Sequence, residues 1–70
     1  MNSKQRRAEI KRILSLLEES NHMIFKRMYS YPDLDKDINQ VVDDMPTKQL
    51  AWALTQCQNS YHTIFNILKA

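Results

Sequence analysis

Residues 10–31 read IKRILSLLEESNHMIFKRMYSY, and the spacing of their apolar positions decides the fold class. Ile10, Leu14, Leu17, Asn21, Ile24, Met28 and Tyr31 step alternately by four and three. With 3.6 residues per turn, such steps return to one side of a helix and form the seam of a helix packed at a shallow angle against another. Leu50, Leu54, Cys57, Tyr61, Ile64 and Leu68 repeat the pattern in the second half of the chain. Two helices, each carrying a seam, are what the apolar residues ask for.

The punctuation sets the boundaries. The chain of 70 residues has no glycine, and its two prolines, Pro32 and Pro46, divide it into three pieces. No breaker interrupts the first, so the sequence predicts a long helix over about 3–29, with Ser3 as its N-cap. A short helix is expected over about 34–44, capped by Asp33 or Asp35, with Leu34, Ile38, Val41 and Val42 on one face. Pro46 suits a first helical position, and a third helix is expected over about 47–69. The expected architecture is therefore one all-α domain over 1–70: two long antiparallel helices joined by a short third, a helical hairpin.

Pairing the long helices antiparallel with Met28 against Leu50 fixes every other layer. Ile24 then meets Leu54, Asn21 meets Cys57, Leu17 meets Tyr61, Leu14 meets Ile64 and Ile10 meets Leu68. Asn21 is the polar member of the first seam, where an amide fixes register at some cost in stability.

Size and composition narrow the function classes. A chain this short buries only about 60% of the surface its unfolded form exposes, so its stability margin is thin. Cys57 is the single cysteine and has no partner for an intramolecular disulfide, which suits a reducing, cytoplasmic compartment. No stretch approaches the roughly 20 apolar residues of a membrane span, and the charged segment 1–12 is not followed by the apolar run of a secretion signal. No membrane partner is expected.

Catalysis and metal binding find little support. The chain holds no nucleophile elbow, glycine-rich phosphate loop or metal-protease helix, so it is expected not to be an enzyme and to carry no cofactor. Asn21, His22, Cys57 and His62 do not converge as four zinc ligands: His22 points off the seam, and Cys57 and His62 stand five apart. Asp33, Asp35, Asp37 and Asn39 echo the start of an EF-hand calcium loop, but the sixth position is Ile38 where glycine is needed and the twelfth is Asp44 where glutamate is needed. Helix capping and solubility account for these aspartates, and no metal is expected.

The net charge of +2 conceals blocks of opposite sign. Lys4, Arg6, Arg7, Lys11 and Arg12 crowd the first helix, whereas Asp33, Asp35, Asp37, Asp43 and Asp44 follow Tyr31 with Lys36 as the one opposing cation. The basic cluster could neutralise several phosphates, so non-specific nucleic-acid binding is an alternative function. No helix-turn-helix turn, zinc-finger cysteines or RNA-recognition strand motif accompanies it.

Protein binding is the better-supported expectation. Outside the seam, Ile13, Leu16 and Met23 form a second apolar set on the first helix, matched by Ala53 and Ile67 on the third, while Phe25, Tyr29, Ala51 and Phe65 lie on the opposite flank. A short helix covers one flank at most, so a strip of Ile13, Leu16, Met23 and Ile67 is expected to meet a partner. Trp52 also lies off the seam, either packed under the short helix or anchoring a partner. The simplest partner is a second copy, giving a homodimer built as a four-helix bundle. The function expected is that of a small regulator or binding module.

Overall fold

A computed structural model describes residues 1–69, with side chains described through His62. The described residues are helical wherever they are regular, with no strand among them: α1 Ser3–Ser15, α2 Glu19–Tyr29, α3 Ile38–Asp44, a 3₁₀ turn Thr47–Gln49 and α4 Leu50–Lys69. No described helix is long and apolar enough to cross a membrane.

The starts of α1 and α3 are fixed by side-chain caps. Asn2, not Ser3, caps α1: its side chain accepts from the Gln5 amide at 2.8 Å, and the Gln5 side chain accepts from the Asn2 amide at 2.9 Å, a reciprocal capping box. Asp37 caps α3 by accepting from the Asn39 and Gln40 amides, so this helix starts four residues later than the 34 expected. The residues between Tyr29 and Asp37 form a turn that includes a cis Tyr31–Pro32 peptide, held by Ser30 Oγ donating to the Lys26 and Asp33 carbonyls. Leu34, assigned above to the short helix, lies half-buried in that turn.

The single helix expected over 3–29 is two helices. At Leu16 the backbone leaves the α1 ladder, with the Leu16 amide bonding back to Ile13 and the Leu17 amide to Leu14, and Glu18 is extended (φ −77°, ψ 164°). No proline or glycine forces the break. Two terminal features mark it: Arg12 sits in the last turn of α1 and Glu19 in the first turn of α2, each with the sign that favours its helix end. His22 closes the corner, its Nε2–H donating to the Leu14 carbonyl at 2.5 Å, so that a carbonyl at the end of α1, which also accepts from the Leu17 amide, is tied to α2.

The break resets the phase of the apolar pattern. In α1 the seam residues Ile10 and Leu14 are fully buried, as expected, but Ile13 is buried too, at 3% exposure, and so cannot belong to an exposed strip. In α2 the buried residue is Phe25, stacked at a tilt on Tyr29 with ring centroids 4.7 Å apart. The seam residues Ile24 and Met28 turn outward, 55% and 51% exposed. The layers Ile24–Leu54 and Met28–Leu50 are therefore not formed as core layers, since Leu50 and Leu54 are buried while their intended partners are not.

The core is completed by Val41, Val42 and Met45 from α3 and its exit and by Leu50, Ala53, Leu54 and Cys57 from α4. Burying a large aliphatic side chain stabilises by about 1.5–3 kcal/mol, so fully covered Ile10, Leu14, Val42 and Leu50 carry much of the margin. The hairpin topology gives way to a different one. Arg7 reaches the carbonyls at the end of α3, just before α4 begins, whereas Leu14 and Leu17 share a cleft with Gln56, Cys57 and Ser60. Therefore α1 and α4 run in the same sense, and α2 with its following turn makes the return. The proposed layers Leu14–Ile64 and Ile10–Leu68 lie outside the described residues.

Candidate functional site

The opposite charge blocks meet each other. Arg7 on α1 donates to the carbonyls of Val42 at 2.5 Å, Asp43 at 3.2 Å and Met45 at 3.0 Å, satisfying the end of α3 with a guanidinium, the sign that helix end favours. Lys11 pairs with Asp43 at 2.7 Å, Arg12 with Glu9 at 2.5 Å, and Lys36 with Asp44 at 2.5 Å. Of the five basic residues assigned to nucleic acid, Arg7, Lys11 and Arg12 have these intramolecular partners, while Lys4 is exposed and Arg6 half-buried. These pairs hold the Glu9 and Asp44 carboxyls below their ordinary range, chiefly through the hydrogen bonds from Arg12 and Lys36.

The apolar surface lies elsewhere than the sequence pattern placed it. Leu16 is exposed at the α1–α2 corner, Met23 is half-buried on the side of α2 facing the turn before α3, and Ile13 is in the core. Ile67 falls outside the residues whose side chains are described. Trp52 does not pack under α3; it stands 75% exposed on α4.

What sequence reasoning missed is the outer face of α2. Ile24 and Met28 border a cleft between α2 and α4, with Leu17 and Asn21 along the same edge, Gln56 and Ser60 across from them, and buried Phe25 and Cys57 at its base. Asn21 and Cys57, paired in the sequence reading, do share this cleft. The cleft has a volume of about 70 Å³. That is room for about two waters or one protruding side chain, far below the roughly 300 Å³ of a small-molecule site. Tyr31, 74% exposed, follows Met28 in sequence. Ile24 and Phe25 are adjacent, about 100° apart on a helix, and the phase of α2 after the break decides that Phe25 goes in while Ile24 stays out.

Cys57 at the base is a protected thiol, its pKa pushed up to about 11 by burial. A second, wider concavity of about 540 Å³ lies between α2 and the turn before α3, edged by Glu19, Lys26, Asp35 and Asp37. It is open and of mixed charge, and the ring nitrogen of His22 beside it is committed to Leu14. Among the described residues no three His, Cys, Asp or Glu side chains converge as metal ligands. Comparison of the chain with protein-family models, with curated proteins and with solved structures finds no match.

Proposed function

We propose that this chain is a small helical protein-binding module that docks a partner helix along the outer face of α2, over the α2–α4 cleft. The observation that carries the reading is the pair Ile24 and Met28, two large apolar side chains one turn apart, each more than half exposed beside a cleft sized for a single side chain. Exposed apolar groups arranged in this way, rimmed by Asn21, Gln56 and Ser60, match the anatomy of an interface: an apolar centre, a polar edge and a pocket for one anchor. The chain's single thiol, Cys57, is buried at the base of the cleft and kept neutral, which supports a binding role for this face. The buried single cysteine also suits a cytoplasmic setting.

A photo-crosslinking residue placed at Met28 tests the reading in cells of the protein's source. It is expected to form a protein adduct, while the same residue at Asn39, on the exposed side of α3, forms none. Ile24→Glu in the crosslinking chain is expected to reduce the adduct at least about 30-fold, the loss of a central anchor worth about 2 kcal/mol. An adduct unaffected by Ile24→Glu but lost with Trp52→Glu moves the docking surface to α4.

A further inference from the structure

We infer that the occupant of this face is a second copy of the chain, with two α2 helices packed antiparallel across a two-fold axis; the inference rests on the reading of the α2 face as a docking surface. The spacing is the first support. Asn21, Ile24 and Met28 on α2 line the one cleft, with Leu17 at the corner just before the helix. Laid antiparallel with the axis between His22 and Met23, Asn21 of each copy faces Ile24 of the other, and each Met28 comes to the corner before the other copy's α2, where Leu17 lies. A two-fold interface requires such a self-complementary patch, because the same surface must serve as both halves. In an antiparallel helix pair, each layer is formed by one seam position of each kind, which this register supplies.

Charge is the second support and selects among registers. The start of α2 is acidic, Glu18 and Glu19, and its end is basic, Lys26 and Arg27; three of the four are exposed and Lys26 is half-buried. An antiparallel pair lays the acidic end of each helix beside the basic end of the other. A parallel pair sets like beside like. An antiparallel pair shifted to match Ile24 with Met28 centres the axis on Lys26 and sets the two Lys26 ammoniums against each other. The register centred between His22 and Met23 satisfies the apolar and the charge pattern together.

Sedimentation of the full chain tests the inference with two charge variants, Glu18→Lys with Glu19→Lys, and Lys26→Glu with Arg27→Glu. The wild type is expected at twice 8.3 kDa. Each variant alone is expected to dissociate at least about tenfold more readily, and an equimolar mixture of the two to restore the dimer, because each end then faces its opposite. Circular dichroism reports whether each variant is folded; should either unfold, Asn21→Leu provides the second arm, expected to tighten the dimer severalfold by replacing an amide in an apolar layer. A wild type that remains monomeric at about 1 mM, the weakest association worth the name, overturns the inference, as does a dimer that persists in both charge variants alone. If the wild type is monomeric and the crosslinker at Met28 still captures a different protein, the second copy is excluded and the broader docking reading stands. Capture of neither removes both.

Discussion

Arg7 shows how much one side chain can carry in a molecule of this size. Its guanidinium donates to three carbonyls at the exit of α3, of which Val42's also accepts from the Met45 amide at 3.3 Å. Arg7→Met keeps the aliphatic stem and removes the fork, so melting followed by circular dichroism should show a loss of about 2 kcal/mol, the range for hydrogen bonds to a charged group. Arg7→Lys should lose less, since an ammonium still donates but cannot span three acceptors. Cys57 makes the opposite case, a group whose ionisation the fold opposes. Its thiol is pushed from an ordinary value of 9.0 to about 11, so the folded state holds a proton that the unfolded state has released. The stability this group contributes is complete below pH 9 and declines as pH rises toward 11. Alkylation at pH 8 should accordingly be slow in the native protein and rapid in denaturant; equal rates would show the thiol is open to solvent.

The helices teach where a sequence pattern holds and where it fails. The seam in α1 was legible because Ile10 and Leu14 lie on an uninterrupted helix and their burial follows from periodicity alone. From Leu16 onward the same pattern misled, because three non-helical residues rotate everything after them, and no local propensity marks Leu16 or Leu17 as breakers. The break is a tertiary choice: it lets Phe25 and Tyr29 enter the core and lets α2 return along the molecule. The acidic pair Glu18 and Glu19 after Arg12 was the trace it left in the sequence, a helix-end signature hidden in an apparently continuous helix. Candidate site residues followed the same fate: Ile13 went inward with the core, while Ile24 and Met28 came out. His22 holds the corner, so His22→Ala should cost about 1 kcal/mol and raise amide hydrogen exchange first at Leu16 and Leu17. Asp37→Ala should cost α3 a similar amount, about 1 kcal/mol, through its lost cap, and for a helix of seven residues that loss should appear as melting of the segment itself.

At the scale of the whole molecule, two members of the basic block, Arg7 and Lys11, reach across to the end of α3 and its acidic block. The basic α1 and the acidic α3 are about 35 residues apart in sequence and meet through Arg7 and Lys11. The molecule is also thin, 36 × 29 × 16 Å, and a body one to two helices thick has no second layer to cover the outer face of α2. That thinness is the physical reason an apolar surface remains, and it was not legible in the sequence, because it depends on where α2 turns. Trp52 is the chain's single tryptophan, and in the folded protein it is already three-quarters in water. Its fluorescence should therefore peak near the wavelength of free indole in buffer and shift little when the chain denatures, while the circular dichroism signal collapses over the same denaturant range. A laboratory following emission alone would see a flat trace and record a protein that never folded.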